Sequence, residues 1–367
     1  MTDGSRGSGP SALELQVRKG SPSVELTRDE FRERFRARFA DPAFESLAAQ
    51  LGQIEDVAWQ AYRGSRKSPR TQPAGAGYDD PGYALSLDWL DAHHAIRRAR
   101  ELHDRPGQAR VLVIAGGARS DRTCPGEQGK TQRLVEEACD ELRAASCHVD
   151  LLDLSRLTAE YGATIYPCKG CVSTAMPLCH WPCSCYPNHG LGQSGDMMAD
   201  IYPLWVAAHG VLIVTPVYWY QTPATLKLMI DRMVCADGGN PDPTSTHGKD
   251  PAKAKAIELA GWSYPRHLEG RAFGLVVHGD TAGVEVVRRN LHDWLCDMAL
   301  EPAGPLAEID RYIGYYQPYA TGHDALDADR DLVTETRNVA RVVAVRIAQL
   351  RGGQTPASDA VVAPRPK

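Results

Sequence analysis

The sequence predicts an α/β protein: a doubly wound, five-stranded parallel sheet in the order 2-1-3-4-5, preceded by a helical extension. Three observations lead there. Short apolar runs recur from residue 110 onward: RVLVIAGG from Arg110, HVDLLDL from His148, GVLIVTP from Gly210, RAFGLVVHG from Arg271 and a weaker GPLAEI from Gly304. Three of them are nearly continuous rather than alternating, as expected of strands covered on both faces. Helical segments with short connections lie between them, the pattern of a parallel sheet wound by crossover helices.

Taken in order, residues 1–22 are rich in Ser, Gly and Pro and are expected to be a disordered tail, as are residues 352–367. The opening MTDGSRGSGPSALELQ has no apolar core of a secretory signal. From Leu26 to Tyr62 the pattern is helical, with Phe31, Phe35 and Phe39 every four residues. A loop, SRKSPRTQPAGAGYDDPGY, separates this from a second helical piece, LSLDWLDAHHAIRRARELHD. Residues 23–105 thus form a helical extension without a core-sized apolar content, expected to pack on the main domain or on another subunit. The main domain spans 106–351 and carries a Cys-rich loop at 167–186 and an insertion at 235–270. In LKLMIDRMV, Leu226, Met229, Ile230 and Met233 share a helix face, and Lys227 can pair with Asp231 one turn on. Pro203, inside MMADIYPLWVAAH, is expected to delay or kink its helix. A last helix, from about Asp329 to Leu350, closes the domain.

Bulk composition is that of an ordinary globular chain, 43% hydrophobic and 24% charged in 367 residues. A formal charge of -5 gives no reason to expect nucleic acid or an acidic membrane as partner. The longest apolar run, around Val211 to Val214, is far too short to cross a bilayer. Ten cysteines without a signal point to a reducing, cytoplasmic setting, where clustered thiols bind metals or do redox chemistry more often than they form disulfides.

In a sheet of this order, ligands sit beyond the carboxyl ends of the strands, at the switch between the first and third. Three loops meet there. The first, GGARSDRTCPGEQGKTQRL, enters a helix at about Lys130 and offers backbone N–H groups and hydroxyls to a phosphate. Its GKT ending suggests a nucleoside-triphosphate loop, but the glycine that motif needs is replaced by Cys124, so the match fails. The second loop, TPVYWYQTPATLKLMIDR, places Val217 to Tyr220 at the sheet edge, where they can lie along a flat conjugated ring or form a core or interface cluster. The third, VHGDTAG, brings glycines for close approach and His278 and Asp280 as donors and acceptors; His278 is either chemical or merely hydrogen-bonded. No nucleophile–His–acid set is found, and no catalytic residue is assigned.

The stretch GVLIVTPVYWYQTPATLKLMIDR is similar to the signature of NAD(P)H-dependent FMN reductases of the flavodoxin-like fold, a Pro-x-Tyr-Trp loop followed by a helix carrying Lys and Asp-Arg. The resemblance covers about Arg110 to Gly304. It implies FMN, with the phosphate at Ala118, Arg119, Ser120 and Thr131, the isoalloxazine facing Pro216, Val217, Tyr218 and Trp219, and Gly279 and Asp280 near the ring's edge. It further implies NAD(P)H as hydride donor, a small acceptor (quinone, flavin, nitro or azo compound) and assembly as a homodimer or homotetramer. Two departures stand out: SDRTCPGEQ lengthens the first loop, and the extension and the 235–270 insertion exceed the minimal fold.

The remaining feature is PCKGCVSTAMPLCHWPCSC, which sets Cys168, Cys171, Cys179, Cys183 and Cys185 within nineteen residues. Following the second strand, it is expected to open on the same edge as the flavin loops. Its start, Cys168-x2-Cys171, resembles iron–sulfur flavoproteins, relatives in which a compact cysteine motif holds a four-iron cluster near FMN; their next cysteine falls at Thr174 here. Three readings stay open: a 4Fe-4S cluster on four of the five thiolates, zinc on four sulfurs or on three with His180 or His189, and no metal. A cluster would also allow an alternative function, an electron carrier between protein partners. Cys124, Cys139, Cys147, Cys235 and Cys296 are dispersed and expected to be buried free thiols.

Overall fold

The computed structural model describes residues 25–64, 68, 70–120, 127–186, 195–314 and 317–353. Residues 1–22 and most of the expected second tail, together with Cys124 and His189, lie outside the described residues.

The extension opens with a helical hairpin. Helix α1 (Arg28–Arg36) starts at a capping box, in which Thr27 and Glu30 satisfy each other's backbone N–H groups. It packs against α2 (Ala48–Arg63) through Phe31, Phe35, Ala58, Trp59 and Tyr62, a cluster separate from the main core. Two short antiparallel strands follow, β1 (Thr71–Pro73) and β2 (Ala84–Ser86). The expected plain loop therefore contains a strand, because Gly75 and Gly77, both at positive φ, let the chain reverse. Helix α3 (Leu87–Asp104) then lies on the main domain, with Ile96 and Ala99 in the same apolar cluster as Trp205 and Ile201.

The central sheet is built from β3 (Arg110–Ala115), β4 (His148–Asp153), β5 (Gly210–Pro216) and β6 (Ala272–Gly279), side by side in the order β4-β3-β5-β6 and parallel throughout. The fifth position is shared by two pieces, β7 (Glu301–Pro302) and β8 (Glu308–Tyr312), both parallel to β6. Pro302, Gly304 and Pro305 break the run, since proline donates no ladder bond and Gly304 turns to φ 127°. The fold is the expected 2-1-3-4-5 order of the flavodoxin-like class, with its last strand split.

Helices cover both faces. Helix α4 (Lys130–Ala144) and the long α11 (Arg330–Arg351) enclose Val111, Val113, Leu212 and Val214. Arg337 and Arg341 of α11 pair with Glu137 and Glu141 of α4. The other face is covered by α6 (Met198–Ala207), α7 (Ala224–Arg232) and α9 (Val284–Asp297). Pro203 sits inside α6 rather than at its start. The short α5 (Arg156–Ala159) follows β4; α8 (Pro251–Leu259) lies in the 235–270 insertion and packs on the Cys-rich loop; α10 (Gly322–Ala328) precedes α11. That insertion is also tied to the extension, because Asp242 and Thr244 accept bonds from the backbone N–H groups of Asp79 and Asp80. Among the described residues no helix is long and apolar enough to cross a membrane.

Candidate functional site

At the carboxyl ends of β3, β5 and β6 lies an open cavity of about 470 Å3. The three loops singled out above supply its wall. Arg119, Thr131, Pro216, Val217, Tyr218, Trp219, Gly279 and Asp280 all line it. Ala118 does not; its carbonyl instead accepts a bond from Thr158 at 2.7 Å. Ser120 is likewise absent from the lining.

One end of the cavity is charged, with Arg119 and Lys130 beside Glu127 and Asp280. Arg119 approaches His323 at 3.5 Å, while its Nε is buried without a hydrogen-bond partner. Lys130, the first residue of α4, stands 3.9 Å from Asp280. Gly117 runs so close to Thr131 that a side chain at 117 would press on the threonine hydroxyl. Thr131 Oγ1 lies 2.9 Å from His278 Nε2. Burial, reinforced by the Lys130 charge, pushes the pKa of His278 down to about 3. The imidazole is therefore neutral at physiological pH and serves as a fixed polar neighbour of Thr131.

The other end is aromatic. Tyr218 and Gln221 exchange backbone hydrogen bonds of 2.9 and 3.0 Å, closing a tight turn around Trp219 and Tyr220. Both central residues have positive φ, 47° and 66°, a conformation that favours glycine and is strained for bulky side chains. Trp219 is 90% exposed, with the ring of Tyr220 stacked beside it. Gly283, at φ 112°, lets the third loop abut Tyr220, where a Cβ would fall 3.2 Å from the tyrosine Cα.

FMN suits this cavity: the buried Arg119 Nε has no hydrogen-bond partner and can take an anion, and exposed rings can face a flat group. Sequence reasoning missed Lys130, Gln132, Tyr319 and His323 in the lining. Lys130 was visible as the helix start, whereas Tyr319 and His323 belong to the segment before α11 and carry no local signal.

None of the five clustered cysteines lines this cavity. The entry of the Cys-rich loop is tied to the last residue of α7, where Arg232 donates to the Tyr166 carbonyl at 2.9 Å and pairs with Asp196 at 2.6 Å. The loop is anchored on the 235–270 insertion by the exchange of backbone bonds of Cys179 and Trp181 with Asn240.

Four of the five thiols converge. Cys171 is in hydrogen-bonding contact with Cys179 and Cys185, and Cys183 with Cys185. Cys168 stays at the rim, accepting from Gly170 N at 3.4 Å. Cys235, remote in sequence, lies beside Cys183 and Cys179 and donates to Tyr202 Oη at 3.3 Å. The Cys179 contact pushes the Cys171 thiol up to about 11, with burial adding to it. His180 faces hydroxyls instead of sulfur, with Ser184 Oγ at 2.5 Å and Thr246 Oγ1 at 2.8 Å. Among the described residues, no three His, Cys, Asp or Glu side chains adopt a metal-holding arrangement.

An open parallel sheet with this cavity at its switch point defines a flavodoxin-like α/β protein. The family model described as NADPH-dependent FMN reductase matches residues 109–300, more than half of the chain, and the chain belongs to that family. It is accordingly an NAD(P)H-dependent, flavin-using oxidoreductase. No curated protein matches the chain. Among solved structures, the chain is similar to RosB with the bound intermediate 8-demethyl-8-formylriboflavin-5'-phosphate, at 13% identity and a TM-score of 0.47, over 71% of this chain and 91% of that one. It is also similar to the apo form of the NADH:FMN oxidoreductase EMOB (12% identity, TM-score 0.35, 65% and 89% covered). A third likeness is to an azoreductase from Bacillus anthracis str. Sterne (14% identity, TM-score 0.35, 65% and 100% covered).

Proposed function

We propose that the chain binds FMN in the switch-point cavity and passes reducing equivalents from NAD(P)H to a small acceptor, a quinone, free flavin, nitro or azo compound. The observation carrying this reading is the polarity of one cavity: Arg119, Lys130 and Thr131 at one end, the exposed Tyr218 and Trp219 at the other. FMN, when bound, supplies acceptance of hydride from the nicotinamide and its onward delivery. Arg119, Lys130 and Thr131 hold the phosphate, and His278 keeps Thr131 in place. Pro216, Val217, Tyr218 and Trp219 present a flat surface, while Gly279 and Asp280 border the ring's polar edge. The domain from 106 to 351 carries all of these groups. The proposal extends to a homodimer or homotetramer in the cytoplasm. Titration of the flavin-free chain with FMN, followed by flavin fluorescence, tests the reading; absence of saturable binding overturns it.

A second reading, a flavin-plus-cluster electron carrier, is favoured by one observation. Cys171, Cys179, Cys183 and Cys185 converge under two cations, Lys249 and Arg232, as an anionic iron–sulfur centre would require. Anaerobic purification with iron, sulfide and zinc analysis decides it. About four irons and four sulfides per chain support the cluster; neither metal leaves the thiols as a reduced nest. NAD(P)H oxidation with an artificial acceptor then separates an enzyme from a carrier.

A further inference from the structure

A second cavity, of about 420 Å3, opens on the far side of the Cys-rich loop and shares no lining residue with the first. The β1–β2 ribbon forms one wall through Thr71, Tyr83 and Leu85; Trp89, Leu178 and Lys249 are among the residues facing it. Its chemistry is lopsided. Lys169 and Lys249 line it, and among the described residues no Asp or Glu does. Trp89 is held rigidly by its Nε1–H bond to the Pro182 carbonyl at 2.9 Å and by stacking on His93. Leu85, Leu178 and Trp89 are all buried, so the floor is apolar and preformed.

Lys249 is the informative residue. Its ammonium has three donors. One goes to the Leu178 carbonyl at 2.8 Å and a second contacts Cys171 Sγ at 3.7 Å. No carboxylate is paired with it among the described residues, and it lines the cavity. A charged amine over an apolar floor, with no acid nearby, is a site lacking its anion.

We propose that this cavity is a second ligand site, distinct from the flavin cavity, that takes a small flat anion: an aromatic body on Trp89 and Leu85, with a carboxylate or sulfonate at Lys249 and Lys169. This goes beyond the flavin reading, and it holds or fails independently of it.

Isothermal titration of the full chain with 2-naphthoate, and with neutral 2-naphthylmethanol, tests the proposal. One site per chain is expected, with the alcohol weaker by about tenfold, the loss of one charge-assisted hydrogen bond. Lys169→Gln, at the exposed rim, weakens naphthoate by about two- to fivefold. Lys249→Gln should weaken it further but also touches the thiol nest. Thr71→Trp therefore serves as the independent variant: it fills the cavity from an exposed strand position and should abolish naphthoate binding while FMN titration and Tm stay unchanged. Equal affinity for acid and alcohol, full binding by the Thr71→Trp chain, or loss of naphthoate on saturation with FMN each overturns the proposal.

Discussion

His278 Nε2 lies 2.9 Å from Thr131 Oγ1, a contact that ties the end of β6 to the first turn of α4 across 147 residues of sequence. It holds the third strand-end loop against the cavity wall formed by the start of α4. In the folded chain this histidine resists protonation down to about 3, against an ordinary 6.5. The unfolded chain therefore binds the extra proton first, and stability falls as pH drops from about 6.5 toward about 3. His103, pushed by burial to about 4, acts with the same sign. The Tm should decline with acidification from pH 6.5 to 4, and His278→Gln should flatten that decline. An unchanged slope would mean that His278 titrates normally in the folded protein.

Thr131→Ala removes a hydroxyl from the charged end without opening the core. A charge-assisted bond of ~1.5 kcal/mol corresponds to about tenfold weaker FMN binding. Fluorescence titration checks this, and an unaltered Kd would place the phosphate elsewhere.

Trp219 combines 90% exposure with a positive φ. Trp219→Gly relieves the turn while costing almost no packing, so the flavin-free chain should unfold at equal or higher denaturant, by up to ~1 kcal/mol. The same variant should bind FMN more weakly. Lower stability of the flavin-free form would show that the ring packs in the chain itself.

Arg232 is 2% exposed and pairs with Asp196 beneath the ring of Tyr186. Asp196→Ala leaves a buried guanidinium without its counter-charge, at a cost of ~3 kcal/mol. Chemical denaturation measures the loss, and a change below 1 kcal/mol would place Arg232 in water.

Glu55 is buried at 2% exposure beneath Arg28, Arg32 and Arg36, at 3.1, 3.2 and 2.7 Å. It joins the α1–α2 hairpin, whose aromatic cluster is separate from the main core. Glu55→Ala should therefore speed hydrogen exchange in residues 28–63 and leave β3 to β6 unaffected. Faster exchange in the sheet would show that the hairpin is part of the main cooperative unit.

The strands from β3 to β6 were legible because each is a short apolar run buried on both faces, the strongest pattern a sheet leaves in a sequence. The aromatic loop was legible for a similar local reason: Pro216 to Trp219 follow a strand directly. The split at Pro302 to Pro305 was less so, since GPLAEI mixes a turn and a strand within six residues. The course of the Cys-rich loop was hidden because Asn240 and Arg232, which anchor it, come from later in the chain. Tyr319 and His323 reach the cavity only through tertiary packing, which no local pattern encodes.

The brace between α11 and α4 also has a consequence in time. The helix bearing Lys130 and Thr131 is clamped by Arg337 and Arg341, two hundred residues downstream. While a ribosome is still making the chain, strands β3 to β6 can pair, yet α4 lacks its clamp until residues 330–351 have emerged. Bracing of that cavity wall is thus a late event in biosynthesis, and a nascent chain stalled before Arg330 would present the aromatic loop beside an unbraced α4.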